Sequence, residues 1–329
     1  MSGGVERPVN PQSPVASPIV LSDVPIEPEF AEAFDMKATR LIVTADDRYW
    51  AGEAVRTMTG FGTSVIACEV EIAAERHLER DETPDGRVGT AVLAYATSGD
   101  AMQRQIATRV GQCVLTCPTA SVFAGLERDG TDPSKNIAIG KNVRFFGDGF
   151  QISKRVAGRH LWRVPVMDGE FVCEHDVPRV NGVGGGNFIL IGRCRHTVLA
   201  ACRAAHDAIA SLPDVIMPFP GGAARSGSKV GSKYAALFAS TNDAFCPSLR
   251  GLVASKLADD ESTALEIVID GLTADAVARA TAVGIRAAAA TVVDGDRLTR
   301  ITAGNYGGKL GRHHFHLHEV LTQFPSDAS

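Results

Sequence analysis

The 329-residue sequence lacks any apolar run that approaches the roughly 18 residues of a membrane-spanning helix. Its start lacks the basic stretch and the following apolar stretch of a signal peptide. It also lacks an excess of Lys and Arg, since the net charge is −5 and the pI is about 6.0. A general nucleic-acid binder needs a basic face. We therefore expect a cytoplasmic protein that binds neither membranes nor nucleic acids.

Two kinds of reactive motif are missing as well. The 7 cysteines include no CxxC pair, and the spacing of Cys113 and Cys117 is a weak metal signal without a second pair. We interpret the cysteines as buried thiols of a reducing compartment. No Ser-centred GxSxG turn occurs, so covalent catalysis has no motif to support it.

The sequence does contain a repeated order of strands and helices after a Pro-rich start. Residues 1–28 predict an extended or disordered tail. Beyond it, the order strand, helix, strand is predicted four times, and Ser98 is placed to cap the second helix. The predicted strands are 40–45, 64–70, 90–96, 112–116, 187–193, 214–219, 265–269, 298–302 and 315–317, and the predicted helices are 46–59, 98–110, 196–210 and 273–290.

These repeats predict an α+β protein with two ferredoxin-like (split βαβ) lobes in tandem. The first lobe is expected over residues 29–167 and the second over 168–329. A doubly wound parallel sheet is the competing topology, because short βαβ units build that fold too. The long segment between residues 219 and 265 favours the split arrangement only weakly.

One carboxylate lies within the apolar strand predicted at 265–269. Glu266 follows Leu265 and precedes Ile267, so desolvation is expected to raise its pKa. A carboxylic acid held neutral near pH 7 can donate a hydrogen bond to a developing negative charge. The alternative is that Glu266 pairs with an Arg or faces a solvated side of the sheet.

Two glycine-rich segments come close to nucleotide-binding loops without matching them. Residues 181–187 precede a predicted strand, whereas a dinucleotide-binding loop follows a strand. We therefore favour a turn that leads into the edge of a sheet. Residues 222–229 have Ser228 where a phosphate-binding loop needs Lys, which excludes a Walker motif.

The segment from 218 to 233 nevertheless carries the groups of a cradle for an anionic ligand. It combines glycine amides and hydroxyls with Arg225, Lys229 and Lys233. An exposed loop with solvated lysines is the alternative. Residues 303–311 place four glycines and Lys309 between two predicted strands, either for close approach of a ligand or as a long hairpin loop.

Three histidines alternate at the last predicted strand, and this spacing places His314, His316 and His318 on one face. Imidazole suits zinc. Three ligands on one strand close a tetrahedron poorly, however, and no matching Cys or carboxylate motif occurs elsewhere. We therefore predict no metal site.

Many long blocks of the sequence resemble one known family, the formylmethanofuran–tetrahydromethanopterin formyltransferases. The similarity runs from about residue 30 to about residue 319, and the Pro-rich start lies outside it. Residues 71–80 and 125–140 match the family weakly. The blocks are 60–65, 82–87, 111–114, 118–121, 145–149, 185–188, 218–222, 228–233, 240–244, 266–269 and 304–311.

The resemblance implies two ferredoxin-like lobes, no prosthetic group, and transfer of a formyl group between two amines of bulky C1 coenzymes. These substrates are methanofuran and tetrahydromethanopterin, or analogues of them. Transfer occurs in a ternary complex without an acyl-enzyme, and Glu266 occupies the position of the family's catalytic glutamate. A homodimer or higher homo-oligomer is implied, and bacterial relatives resemble the D subunit of a formyltransferase/hydrolase complex.

We expect further polar residues to bind the coenzymes in a cleft beside Glu266. These candidates are Asn187, Ser226, Ser228, Lys229, Lys233, Asn242, Asp243, Asn305 and Lys309. Two other classes of function stay open. One is a scaffold subunit without transfer activity inside a larger complex, and the other is a nucleotide-dependent enzyme that uses the glycine-rich loops.

Overall fold

A computed structural model of the chain describes residues 19–325, which form a mixed α+β fold. The helices are α1 (Arg48–Thr59), α2 (Val65–Cys68), α3 (Gly99–Arg109), α4 (Gly140–Val143), α5 (Arg195–Ile209), α6 (Ala274–Ala289) and α7 (Leu317–Gln323). One π turn, Val110–Val114, follows α3. The short 3-10 helices are Arg80–Glu82, Pro133–Lys135, Arg144–Gly147, Pro220–Gly222, Asp243–Phe245 and Pro247–Leu249.

The strands are β1 (Ile19–Leu21), β2 (Val24–Ile26), β3 (Phe30–Thr44), β4 (Glu71–Leu78), β5 (Gly89–Ala96), β6 (Ser121–Ala124), β7 (Ile137–Ala138), β8 (Ile152–Val156), β9 (Arg159–Val166), β10 (Gly169–Glu174), β11 (Asp176–Val177), β12 (Val180–Gly192), β13 (Val215–Ile216), β14 (Ala223–Ala224), β15 (Ser228–Val230), β16 (Ala239–Thr241), β17 (Thr263–Gly271), β18 (Arg300–Thr302) and β19 (His313–His316). All but four of them belong to one 15-stranded sheet.

Two long strands organise this sheet. In the first half of the chain, β3 is flanked by β5 and β6, and β4 adds to β5, giving the order β4-β5-β3-β6. In the second half, β12 is flanked by β17 and β18, and β14 adds to β17, giving β14-β17-β12-β18. Neighbours within both sets are antiparallel. The two sets join where β3 pairs with β12.

The helices begin where the sequence offers a cap. Ser98 accepts a hydrogen bond from the backbone N–H of Ala101 at the start of α3, as predicted, and Thr273 caps α6 in the same way. Their apolar faces pack against the sheet in two separate clusters. One cluster includes Leu41, Met58, Val92, Met102 and Ile106. The other includes Phe188, Leu190, Ile209, Ile267 and Ile285.

Several predicted elements differ from the structure. Residues 64–70 are not a strand, because Ser64 caps the short helix α2, and the strand comes later as β4. Residues 112–116 are not a strand either, because the chain continues from α3 into the π turn. The strand predicted at 214–219 is reduced to the two residues of β13, and Pro218 is compatible with an early end because it cannot donate to a sheet ladder.

The predicted tail over residues 1–28 is wrong for residues 19–26, which form regular secondary structure. Strands β1 and β2 form a hairpin, and β2 pairs in parallel with β18 through Ile26 and Ile301. Val24 and Ile26 are buried in the second cluster. Residues 1–18, which hold the rest of the predicted tail, lie outside the described residues.

Candidate active site

Glu266 lies in the middle of β17, where its neighbours across the sheet are Ile189 of β12 and Ala224 of β14. Because side chains alternate along a strand, Ile267 and Ile269 point into the hydrophobic cluster while Glu266 points to the other face. That face forms the floor of a cleft. The cleft is lined by Ile189, Ala224, Arg225, Ser226, Gly227, Thr241, Asn242, Phe245, Cys246, Ala264, Leu265 and Glu266.

The carboxyl group of Glu266 has an environment that favours its neutral form. No residue within 19–325 donates a hydrogen bond to it or pairs with it as a cation. Desolvation therefore acts without opposition and raises its pKa from 4.5 to about 7. At neutral pH a large part of the population carries the proton, and a protonated carboxyl group is a hydrogen-bond donor.

Two glycines let the backbone come close to this carboxyl group. A Cβ atom at Gly304 would lie 3.5 Å from Glu266 Oε1, and one at Gly227 would lie 3.7 Å from Oε2. The carboxyl group is therefore held between the loop that follows β18 and the loop that precedes β15. Both are ordinary contact distances, and the preference for glycine has other causes: Gly227 has a φ of +22°, and a Cβ at Gly304 would lie 3.2 Å from Asn187 Oδ1.

Asn187 fixes one of these two walls. It lies on β12 on the same face as Glu266, because its register partner on β17 is Val268. Its Nδ2 donates to the carbonyl of Gly304 at 3.0 Å, and its Oδ1 accepts from the N–H of Gly304 at 2.6 Å. The Asn187 side chain is therefore fully used to position the backbone beside Glu266.

The remaining predicted residues fall into four places. Ser226 and Asn242 line the cleft itself. Lys229 of β15 forms an ion pair with Asp243 in the 3-10 helix that follows β16, which lowers the pKa of Asp243. Lys233 lines a second groove beside this pair.

Ser228, Asn305 and Lys309 lie around the loop 303–311. Ser228 Oγ lies 3.3 Å from the hydroxyl of Tyr306. Asn305 is turned away from the cleft, because its Nδ2 donates to Glu29 at 3.2 Å and to the carbonyl of Phe30 at 3.3 Å. Lys309 is exposed on the loop.

Tyr306 was not among the predicted site residues. Burial is the main cause that raises the pKa of its hydroxyl, and the Ser228 hydrogen bond opposes this effect. The nearby carboxyl of Glu266 raises the pKa of Tyr306 further. A tyrosine within the loop 304–311 was a usable signal, since buried tyrosines carry a polar group that needs a partner.

A pair of buried acidic groups includes Asp270, which lies on the same face of β17 as Glu266. Asp270 is fully buried and hydrogen-bonds to Glu71 of β4, and its Oδ1 accepts from the N–H of Gly185 at 3.0 Å. Desolvation, together with the neighbouring charge, raises the pKa of Asp270 well above its usual value. The pKa of Glu71 is raised by desolvation as well. Two neighbouring buried carboxyl groups of this kind can share one proton.

The histidines near the C-terminus do not share one strand. His314 and His316 lie on β19 and pack against the ring of Phe30, each with ring centroids 5.1 Å apart. His318 lies in α7, and its Nε2 is 2.8 Å from the carbonyl oxygen of Ile26. Residues 19–325 contain no cluster of three or more His, Cys, Asp or Glu side chains able to hold a metal ion.

The family of this chain is decided by comparison with known proteins. The sequence model of the family described as formylmethanofuran-tetrahydromethanopterin formyltransferase matches residues 19–166. A companion model, described as the proximal lobe of the same family, matches residues 169–320. The chain belongs to this formyltransferase family. It is therefore an acyl-transferring enzyme, and the resemblance predicted from the sequence blocks is confirmed.

Relatives in this formyltransferase family are similar over nearly their whole length. The chain is 56% identical to the formylmethanofuran–tetrahydromethanopterin formyltransferase of Rhodopirellula baltica, over 95% of this chain and 97% of that protein. It is 46% identical to the D subunit of the formyltransferase/hydrolase complex of Methylorubrum extorquens, over 93% and 98%.

Solved structures of the formyltransferase family have the same fold, which confirms the α+β class. The chain superposes with a TM-score of 0.88 and 45% identity on a chain of the Methylorubrum extorquens complex, solved with methylofuran, over 93% of this chain and 99% of that one. The formyltransferase of Methanosarcina barkeri gives a TM-score of 0.85 and 40% identity, over 92% and 100%. Within residues 19–325, no helix is long and apolar enough to cross a membrane.

Proposed function

We propose that this formyltransferase moves a formyl group between methanofuran and tetrahydromethanopterin, or analogues of them, in one-carbon metabolism. The observation that carries the proposal is the carboxyl group of Glu266, which lies on the floor of a cleft and has a raised pKa that favours its neutral form. The Rhodopirellula baltica relative is named for these two coenzymes, and the Methylorubrum extorquens structure holds methylofuran. The reaction is an exchange of one amide for another, so positioning and charge stabilisation supply most of the catalysis.

The chemical step that we propose uses Glu266 as a hydrogen-bond donor. A ring nitrogen of the pterin attacks the formyl carbon, a C–N bond forms, and the carbonyl electron pair moves to oxygen. The protonated carboxyl of Glu266 donates a hydrogen bond to this oxyanion. Collapse breaks the C–N bond to the furan amine, which gains one proton while the attacking amine loses one. The exchange therefore needs no further reactant and no prosthetic group.

A covalent route through a cysteine has weaker support. Cys246 lines the cleft, but its Sγ contacts Thr241 Oγ1 and the carbonyl oxygen of Asn242, each at 3.5 Å, and neither contact is with a base. An activated thiol needs an adjacent base or cation. We therefore propose direct transfer in a ternary complex, with no acyl-enzyme.

The polar residues around the cleft have two proposed roles. Positive charge comes from Arg225, which lines the cleft, from Lys229 and Lys233 in the second groove, and from the exposed Lys309. We propose that these side chains bind acidic parts of the coenzymes. Ser226 and Asn242 would bind neutral polar groups inside the cleft. The side-chain amides of Asn187 and Asn305 already hydrogen-bond to other groups of the protein. We therefore propose that they position the backbone and do not bind substrate directly.

The strand orders support two ferredoxin-like lobes, and we propose boundaries at residues 29–167 and 168–329. The orders β4-β5-β3-β6 and β14-β17-β12-β18 both correspond to a split βαβ sheet, in which strand 1 lies between strands 3 and 4. The helices α1 and α3 accompany the first set, and α5 and α6 the second. The two hydrophobic clusters follow this division for most residues, but Phe171, Cys173 and Val177 pack in the cluster of the first lobe. Ala31 and Ala33 pack in the cluster of the second lobe.

We propose that the chain is cytoplasmic and functions in a larger assembly. The Methylorubrum extorquens relative is named as one subunit of a formyltransferase/hydrolase complex, which supports other subunits as partners. We also propose a homodimer or higher homo-oligomer, because the chain is similar to this family. The alternative of a scaffold subunit without transfer activity would not explain the cleft or the raised pKa of Glu266.

The direct test is an assay of the purified chain with both coenzymes, comparing the wild type with Glu266→Ala. We expect transfer by the wild type and a loss of about 10²-fold or more in turnover in the variant, the scale seen when an oxyanion donor is removed. Cys246→Ala is the matched control in the same cleft and should keep its activity. An inactive wild type would leave the scaffold alternative, and an active Glu266→Ala would remove the role of the carboxyl.

A further inference from the structure

A second acidic residue in an apolar strand has the opposite environment to Glu266. Glu32 lies on β3 and is fully buried. The two oxygens of its carboxylate accept four backbone hydrogen bonds, all from the glycine-rich loop 304–311. Oε2 accepts from Tyr306 at 2.7 Å and from Gly308 at 2.9 Å. Oε1 accepts from Leu310 and Gly311, each at 2.6 Å.

These four bonds keep Glu32 ionised. Burial by itself would raise the pKa of this carboxyl, but the four N–H donors outweigh burial and lower the pKa to about 2. A charged acceptor gives stronger hydrogen bonds than a neutral one. The amides of the loop are therefore directed at Glu32, and they are not free to hold an anionic ligand.

The shape of the loop depends on this carboxylate and on glycine. Gly307 and Gly308 have φ values of +83° and +70°, which side chains rarely adopt. A Cβ at Gly311 would lie 2.4 Å from the carbonyl oxygen of Ala33, so only glycine fits there. Successive N–H groups in this geometry form a concave binding site for a negative charge. In this protein the charge comes from within the chain.

The first residue of the same loop lies beside the carboxyl group of Glu266. Gly304, at its start, accepts a backbone hydrogen bond from the N–H of Glu32 at 3.3 Å and lies against the carboxyl of Glu266. Tyr306 follows, with its N–H on Glu32, its ring 5.9 Å from that of Phe34, and its hydroxyl near Ser228. A displaced loop would therefore change the surroundings of the Glu266 carboxyl group.

We propose that Glu32 is a positioning residue for formyl transfer, which anchors loop 304–311 and so holds Gly304 against Glu266. This inference rests on the proposed function, and it adds a residue that touches neither coenzyme. A misplacement of about 1 Å at a reacting centre can cost about 10²-fold in rate. Loosening the loop would also hydrate Glu266, which lowers the pKa of its carboxyl.

Glu32→Gln is the informative substitution. The Gln side chain has one oxygen, which can still accept two of the four hydrogen bonds. Its NH2 group replaces the other oxygen and, being a donor, cannot accept from the remaining two N–H groups. We expect faster hydrogen exchange in residues 304–311, a loss of about 10-fold or more in kcat, and a smaller change in KM. Glu32→Asp keeps both oxygens on a shorter side chain and should restore part of the loss.

A purely structural role is distinguished by two readouts. The pKa of Glu266, measured by carboxyl titration without coenzymes and assigned with Glu266→Gln, should fall toward 4.5 in Glu32→Gln. The matched control is Glu174→Gln, a buried carboxylate paired with Arg128 and Arg159 far along the sheet. It should change thermal stability without changing the Glu266 titration or the kcat of folded protein.

The outcomes separate this inference from the proposed function. Unchanged exchange in loop 304–311 would overturn the anchor. Faster exchange with an unchanged Glu266 titration would overturn the positioning role. A wild type without transfer activity would overturn the proposed function, while exchange and titration would still decide whether Glu32 controls the environment of Glu266.

Discussion

Asn187 and Gly304 are joined by two hydrogen bonds, one in each direction, although 117 residues separate them. The side-chain amide of Asn187 therefore pairs with the N–H and the carbonyl of Gly304 in the way that the backbone of a neighbouring strand would. Through this pair, β12 holds the loop after β18 against the carboxyl of Glu266. The floor of the site comes from β17, but the position of the loop beside Glu266 comes from this contact and from Glu32.

The first prediction concerns the pH dependence of activity. If neutral Glu266 is the active form, activity is highest below its pKa and falls as pH rises through about 7, where the carboxyl ionises. We expect kcat/KM to decline on this alkaline side. Glu266→Gln stays neutral at every pH, so its residual activity should show a flatter profile. A wild-type rate that rises through pH 7 would instead identify Glu266 as a base.

The second prediction concerns Asn187. Asn187→Ala removes both bonds to Gly304 and leaves buried groups unpaired, which costs about 1–3 kcal/mol per group. We expect a measurable loss of stability in urea unfolding and a fall of about 10-fold or more in kcat. Asn187→Asp keeps the acceptor for the Gly304 N–H but repels its carbonyl oxygen. It also places a charge near Glu266, which should raise the pKa of that carboxyl and move the alkaline limb to higher pH.

The third prediction separates binding from catalysis at the rim of the cleft. Lys229 is part of an ion pair with Asp243, and both side chains are partly exposed, so the pair contributes little to stability. Lys229→Ala should raise the KM for an acidic coenzyme several-fold and leave kcat nearly unchanged. Lys154, exposed on the distant strand β8, provides the matched control, and Lys154→Ala should change neither constant. Equal effects of the two variants would exclude a specific role for Lys229.

The fourth prediction concerns the buried pair of Asp270 and Glu71, whose pKa values are both raised. The folded state holds a proton that the unfolded chain releases near pH 4, so stability should fall as pH rises above this value. One such proton gives a slope of about 1.4 kcal/mol per pH unit. Asp270→Asn keeps an acceptor for Gly185 and a donor for Glu71, and it should flatten this slope.

The measurement is the free energy of unfolding in urea at several pH values between 5 and 8. Glu266 also has a raised pKa and contributes a slope of the same sign. The comparison is therefore made in the Glu266→Gln background, which removes that contribution. A slope that is the same with Asp and with Asn at position 270 would show that the pair does not hold a proton in this range.

Much of the fold was predictable from local patterns. The starts of α3 and α6 follow from Ser98 and Thr273, because a cap is a contact between neighbours in sequence. The predictions failed where the local pattern allowed more than one type of element. The apolar residues around Val65 formed a short helix, and the π turn extended α3, because a short apolar run is compatible with either type of element.

The sequence by itself determined the family, the alternation of strands and helices, and the presence of acids within apolar strands. It did not determine what those acids do. Glu266 and Glu32 have the same local pattern, yet one carboxyl has a pKa near 7 and the other near 2. Tertiary structure decided the difference, because loop 304–311 brings four N–H donors to Glu32 from more than 270 positions away and presents none to Glu266.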